Sequence, residues 1–314
     1  MSDSNVYVVP IVLEAHPNAD SLSIVRIDGY TCVVRTDEFK DVQRAAYILP
    51  DSIITEEMAA KYTGGKKKIR AVKLRGVVSH GLLVHCDEPV GTDVTAALGV
   101  THYEPPINLQ RSGKMVKGPK MSVPHYDVEG RKALKHLIPN EQIVLTEKLH
   151  GTNSRYVYYD NKLNVGSRTT WKEKDEKNPW WIIAAKYSLE EKLSALPGLV
   201  FYGEVYGMVQ KMRYGHTAAD PLSWALFDIW DGTTWLNWEA VKDIAGTLQL
   251  PMVPEIYQGE WHEALMSLAA GKTHLGGGHI REGVVVKPLI ERIDPKGNRV
   301  IAKIINDAYL LGDF

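Results

Sequence analysis

A stretch rich in proline and glycine, residues 102–124, divides this 314-residue chain and dictates that it folds as two bodies rather than one. It holds Pro105-Pro106, Gly113, Gly118-Pro119 and Pro124, residues that interrupt both helix and ladder. The length leaves each side enough chain for a hydrophobic core of its own. The expected organisation is therefore a domain over residues 1–104, a linker over 105–125 and a second domain over 126–314.

The two sides differ in pattern. Short strand-like runs fill residues 7–14, 23–27, 31–35, 45–49, 70–74 and 81–85. Turn residues separate them, at His16-Pro17-Asn18-Ala19-Asp20, Asp28-Gly29 and Gly64-Gly65. Strands this short and this closely spaced predict a small all-β barrel. The second side mixes periods. Helices are expected over 129–137, 190–196, 238–248 and 261–270, and strands over 143–147, 201–206, 224–230, 283–289 and 299–305.

A formal net charge of -1 excludes a whole-protein positive field as a means of holding nucleic acid. Any such contact must come from local patches. One is Lys66-Lys67-Lys68 with Arg70, Lys73 and Arg75; the linker adds Arg111, Lys114, Lys117 and Lys120. The only two cysteines, Cys32 and Cys86, form no disulfide framework and suit a reducing cytoplasm. The N-terminus has no signal-like pattern and no apolar run is long enough to span a bilayer, so a soluble cytoplasmic protein without membrane contact is expected. His80, His85 and Cys86 lack the paired spacing of a zinc site. Gly276-Gly277-Gly278 is not followed by the lysine of a phosphate loop and reads as a flexible loop.

The chemistry concentrates in the second half. Thr146-Glu147-Lys148-Leu149-His150-Gly151-Thr152-Asn153 follows a buried-looking strand, which lets Lys148 present its amine at a pocket mouth while Gly151 admits a close phosphate. A lysine three residues before a glycine is common by chance, and alone it reads as a solvated strand end. An ordered set follows it. Ser167-Arg168, Phe201-Tyr202-Gly203-Glu204-Val205-Tyr206-Gly207, Leu226-Phe227-Asp228-Ile229, Arg281-Glu282-Gly283-Val284-Val285-Val286-Lys287 and Ile301-Ala302-Lys303-Ile304-Ile305 come in turn.

In that order these motifs resemble those of the covalent nucleotidyltransferases: the ATP-dependent DNA and RNA ligases and the mRNA capping enzymes. Histidine rather than aspartate before Gly151 resembles the RNA-ligase branch. The resemblance implies an α+β nucleotidyltransferase domain, the ATP-grasp-like adenylation fold of DNA and RNA ligases, with antiparallel sheets and helices. It implies Lys148 as the nucleophile that forms lysyl-AMP from ATP, with a divalent cation, Mg²⁺ or Mn²⁺. Around the nucleotide it places Glu147, Leu149, His150, Gly151 and Asn153 from the first motif, then Arg168, Lys287 and Lys303. Glu204 would bind the ribose hydroxyls, Phe227 would stack on adenine, and Glu282 would orient ribose or water. Glu204 and Glu282 would hold the metal, directly or through water.

A lysine nucleophile must be neutral, whereas a free lysine titrates at about 10.4. Arg168, Lys287 and Lys303 can lower that value and stabilise charge on phosphorus. Many relatives carry lysine where this chain has Ile305, which leaves one cation fewer for the triphosphate. Strand parity sets a puzzle, since Glu282 and Lys287 are five apart and share a face only if the strand bulges at Gly283 or twists strongly.

The first half, with His16-Pro17-Asn18-Ala19-Asp20-Ser21-Leu22 and Lys73-Leu74-Arg75-Gly76-Val77-Val78-Ser79-His80-Gly81-Leu82-Leu83, resembles the OB-fold tRNA-binding domains appended to some synthetases. Its basic stretch is the expected RNA contact. DNA ligases and capping enzymes carry an OB module after the last motif. One in front, with the chain ending soon after Lys303, resembles nick-sealing RNA ligases. The expected activity is joining of RNA 3′-hydroxyl and 5′-phosphate ends by a monomer, including nicks in duplexes, as in RNA repair. A DNA ligase of the same chemistry and a non-catalytic RNA-binding protein on this fold remain the alternatives.

Overall fold

A computed structural model describes residues 5–103 and 113–312. Met1–Ser4, Pro105-Pro106 and Arg111 lie outside the described residues. The chain divides into two compact units: residues 1–106 with 129–135 and 310–313, and residues 107–128 with 136–309 and 314.

In the first unit the strands are β1 (Tyr7–Pro10), β2 (Glu14–Ala15), β3 (Leu22–Ile27), β4 (Tyr30–Arg35), β5 (Arg44–Ile48), β6 (Ser52–Ile53), β7 (Val72–Leu74), β8 (Val77–Ser79), β9 (Leu82–His85) and β10 (Thr101–His102). They form sheets β1-β5-β9 and β2-β3-β4, with the pairs β7-β8 and β6-β10. Among the described residues these ladders do not close into a barrel. The predicted run 7–14 breaks at Pro10, whose nitrogen has no hydrogen to give a neighbouring strand. Nor is the unit all-β. Thr55 caps a helix Glu56–Tyr62 by accepting from the Met58 N–H, and Ala59 is buried beneath it.

The second unit is built on two antiparallel sheets. Its strands are β11 (Met115–Val116), β12 (Gln142–Lys148), β13 (Thr152–Tyr159), β14 (Lys162–Ser167), β15 (Trp171–Lys172), β16 (Val200–Gly207), β17 (Leu222–Trp230), β18 (Glu255–Glu260), β19 (Gly283–Pro288) and β20 (Ala302–Ile305). The orders are β11-β15-β14-β13-β16-β17 and β18-β12-β19-β20. Helices Pro179–Lys186, Leu189–Ser194 and Trp238–Thr247 contribute buried residues to the main core, with Phe201, Val205 and Trp224 from the larger sheet and Val144 from the smaller. Each fully buried large apolar side chain there stabilises the fold by about 1.5–3 kcal/mol. A second cluster around Val157, Val200 and Tyr202 is covered by Met121, Val123 and Tyr126 from the segment before β12. Of the predicted helices, 129–137 and 261–270 are 3₁₀ segments, Arg131–His136 and Glu263–Ala269. Among the described residues no helix is long and apolar enough to cross a membrane.

Register settles the parity puzzle. Lys148 lies opposite Gly283 and Gly283 opposite Ile305; Thr146, Val285 and Lys303 form the next row, and Val144 faces Lys287. Opposed residues in a ladder share a face, so Lys148, Lys287, Lys303 and Ile305 all point to one side of the smaller sheet. The ladders on both sides run through Gly283 without a register shift. Glu282 lies just before the strand, outside its alternation. Gly283 itself cannot carry a side chain, because a Cβ would stand 2.2 Å from the Ile304 carbonyl oxygen.

Candidate active site

Lys148 ends β12, its side chain 27% exposed, with Nζ 2.7 Å from Glu282 Oε1. Burial pushes its amine down, but Glu282 and then Glu204 outweigh burial and the nearby Arg168, so the amine is held above its ordinary value. This runs against the expected lowering: without ligand, Lys148 is a cation between the Glu282 carboxylate and the Glu204 carboxyl. Glu282 is held below its usual range, because Lys148 and His150 outweigh its burial. Glu204 is pushed up to about 8 by burial, with Glu282 adding to the effect and Lys148 opposing it.

The turn after Lys148 is held tightly. A Cβ on Gly151 would stand 2.2 Å from the Val205 carbonyl oxygen, and the Gly151 N–H donates to the Glu204 carboxylate. Gln210 Nε2 donates to the Gly151 carbonyl at 3.3 Å, and the His150 N–H donates to Tyr214 Oη at 2.7 Å. Asn153 lies opposite Glu204 across β13 and β16, its Oδ1 buried without a hydrogen-bond partner among the described residues. The side chain of Leu149 points into the core, so only its backbone can meet a ligand. Glu147 is buried. Its Oε2 accepts from the His274 N–H at 2.8 Å, and its Oε1 has no hydrogen-bond partner among the described residues.

Phe227 occupies a bulge: Tyr202 pairs with Asp228 and Gly203 with Leu226, leaving Phe227 unopposed on β17. Its ring packs 4.5 Å from that of Tyr126. Arg168 pairs with Asp127, both side chains well exposed, and its carbonyl accepts from His125 Nδ1 at 3.2 Å. Lys287 is enclosed. Its Nζ meets Asp228 Oδ1 at 2.5 Å and Glu291 Oε1 at 3.3 Å, and Arg299 pairs with the same two carboxylates. Burial raises the Asp228 carboxyl, but Arg299 and Lys287 outweigh it and keep it below the usual range. Tyr126 Oη donates to Asp228 Oδ2 at 2.7 Å. Lys287 thus shares the face of Lys148 but is spent on this buried network. No local signal in the sequence marked Tyr126, Tyr214, Glu291 or Arg299.

In the first unit the basic stretch is partly neutralised. Lys67 pairs with Glu56 at 2.5 Å; Lys68 pairs with Asp51 at 2.8 Å and lies 3.5 Å over the Tyr103 ring. Lys73 and Arg75 sit on the β7–β8 hairpin, Arg75 at its turn with φ +47°, while Lys66 and Arg70 flank the pairs.

The sequence profile of the RNA ligases matches residues 141–305, more than half of the chain and the whole span from β12 to β20. The chain belongs to the RNA ligase family. An OB-fold domain profile matches residues 8–86 of this ligase. Among solved structures, a mutant Naegleria gruberi RNA ligase with ATP and Mn is similar at a TM-score of 0.83 and 24% identity, over 98% of each chain. A mutant with AMP and Mn gives the same values, and the protein with PPi gives 0.82 at 24% over 98% of each chain. At that identity the likeness establishes the ligase's fold: an N-terminal OB-fold domain, then an α+β domain of antiparallel sheets. No curated protein sequence matches the ligase.

Proposed function

We propose that this ligase uses ATP to join RNA 3′-hydroxyl and 5′-phosphate ends through lysyl-AMP on Lys148. The observation that carries the reading is Lys148 itself, a strand-end amine set between Glu282 and Glu204 on the face that also presents Lys303. In the first step Nζ attacks the α-phosphorus of ATP, the N–P bond forms as the bond to pyrophosphate breaks, and Nζ gives up its proton. AMP then passes to the RNA 5′-phosphate, and attack by the 3′-hydroxyl on that end releases AMP and forms the phosphodiester.

Arg168, released from Asp127, and Lys303 take the phosphate charge. Glu204 and Asn153 meet the ribose, and the bulge turns Phe227 toward the base. Among the described residues no group of three or more His, Cys, Asp or Glu side chains could hold a metal. Two flanking carboxyl groups, one of them pushed up to about 8 by burial and by the other's charge, do fit a hard cation whose other ligands are water and phosphate oxygens. Held by Glu204 and Glu282, Mg²⁺ or Mn²⁺ would neutralise both carboxylates and the triphosphate. That cation would offset the carboxylate charge that keeps Lys148 protonated. Lys66, Lys73 and Arg75 of the OB-fold domain, with the partly paired Lys67 and Lys68 and with Arg70, are the RNA contacts of this reading. Both cysteines are free thiols, in keeping with RNA repair in the reducing cytoplasm by a monomer.

The test is sealing of nicked duplexes that differ only in whether the 3′-hydroxyl strand is RNA or DNA. The RNA strand should be sealed faster. Equal rates would favour a general polynucleotide ligase, and failure to form any protein–AMP adduct would leave an RNA-binding protein on a ligase fold. The register adds a prediction about Ile305, which stands in Lys148's row with only Gly283 between. Ile305→Lys places a cation on that face and should lower the ATP concentration for half-maximal adenylylation, by about threefold to tenfold for one added charge–phosphate contact. A titration of adduct formation against ATP measures it, and an unchanged midpoint would exclude Ile305 from the triphosphate site.

A further inference from the structure

His150, two residues beyond Lys148, is held at both ends. Its backbone N–H is fixed by Tyr214, and its ring Nδ1 lies 3.0 Å from Tyr309 Oη. The same Nδ1 is 3.6 Å from Glu282 Oε2, while the other oxygen of that carboxylate holds Lys148 at 2.7 Å. A chain of contacts therefore runs from Tyr309 through His150 and Glu282 to the amine.

Tyr309 is itself fixed with respect to Glu282. The Asn306 N–H donates to the Glu282 carbonyl at 2.9 Å, and Asn306 Nδ2 donates to the Arg281 carbonyl at 3.1 Å. Asn306 Oδ1 accepts from the Ala308 N–H at 3.1 Å, at the start of the helical turn that carries Tyr309. One buried asparagine thus ties the tyrosine and the glutamate into a single corner. The rings of His150 and Tyr309 meet edge to face, centroids 5.5 Å apart at 63°, an orientation that also favours the pair.

We propose that Tyr309 is a positioning residue for self-adenylylation, acting through His150 to orient Glu282 and so the attacking amine. The inference rests on the lysyl-AMP reading above. At 3.0 Å the hydroxyl is the closer partner of Nδ1. When it donates there, the imidazole carries its hydrogen on Nε2 and leaves Glu282 Oε2 without a rival donor. His150 then does not compete for the carboxylate, and Lys148 engages it at 2.7 Å. Without the hydroxyl, Nδ1–H can turn to Glu282, drawing the carboxylate toward His150 and Lys148 away from its line of attack. Errors of this size in orientation cost rate rather than binding.

The experiment compares Tyr309→Phe, His150→Ala and the double variant with the wild type. Single-turnover formation of the protein–AMP adduct is followed across ATP concentrations, with thermal unfolding as a control on folding. Tyr309→Phe should slow the maximal rate about fivefold to tenfold, the scale of one lost hydrogen bond, and leave half-saturation by ATP within about twofold. The double variant should be no slower than His150→Ala alone. An unchanged maximal rate in Tyr309→Phe overturns the proposal, as does the same added loss in the His150→Ala background. Tyr309→His, which can still offer an N–H to the imidazole, serves if the phenylalanine variant folds poorly. A rate between those of His150→Ala and wild type supports the contact, and a rate as low as that of His150→Ala overturns it. If the wild type forms no adduct on Lys148, the lysyl-AMP reading fails instead.

Discussion

Lys148→Ala should carry no covalent label after incubation with ATP labelled at the α-phosphate and a divalent cation, under conditions where the wild type is labelled. The expected loss is complete, because Lys148 is the amine set between Glu282 and Glu204. Mass mapping of the wild-type adduct gives the positive half of the result: the AMP should sit on the peptide that contains Lys148. Retained label in the variant would remove Lys148 from the role of nucleophile. The substitution also leaves two carboxylates close together without their cation, so the variant needs its folding checked by thermal unfolding.

Glu204→Gln should have two effects of opposite kind. Adenylylation should fall about 10²–10³-fold, the usual scale for removing one preorganised electrostatic contact. The ligand-free protein, kept metal-free with chelator, should become more stable, and increasingly so as the pH rises. The sign follows from the Glu204 carboxyl, pushed up to about 8 from an ordinary 4.5. Between those values the native state keeps a proton that the unfolded chain has lost, so unfolding releases it and wild-type stability falls as pH rises through that window. Above about 8 the two states carry the same charge at this group and the fall levels off. Glutamine does not titrate, so the gap in unfolding temperature between variant and wild type should open from about pH 5 to about pH 8. A constant gap, or one that closes, would show that Glu204 is already charge-compensated in the free protein. A residue that costs stability while serving chemistry is an ordinary compromise at active sites.

The motif strands were legible because each couples a run of apolar residues to a polar group at its end. Residues 143–147 and 283–289 were placed to within a residue of β12 and β19. The hairpin β13–β14 was missed although it carries a hairpin signal, Asp160-Asn161, both at φ +55° between alternating strands. The helix Pro179–Lys186 was missed too, despite Asn178 at its cap and proline at its first position. In the first half, strand-like spacing located the strands but could not say how they pair. Closure depends on ladders between distant segments, and Pro10 and the helix Glu56–Tyr62 intervene.

In the site, residue types along one motif were legible, whereas partners from other segments were not. Lys287 looked like a phosphate ligand until Asp228, Glu291 and Arg299 were brought around it from elsewhere in the chain. The state of Lys148 was misread for the same reason. Its cationic neighbours stood out in the sequence, but burial sets two carboxylates beside it, and these prevail.

The segment ahead of β12 has a practical consequence for dissecting the enzyme. Tyr126 packs on Phe227 and bonds Asp228, Asp127 and His125 hold Arg168, Tyr202 Oη donates to the Pro124 carbonyl, and Met115–Val116 extend the larger sheet through β15. What composition marks as a tether is, from Met115 onward, part of the catalytic scaffold. A fragment begun at residue 126 would expose an edge strand and an aromatic face together, inviting aggregation before any question of activity arose. Swapping OB-fold domains between such ligases therefore calls for a junction upstream of Met115, so that the whole strap travels with the α+β domain.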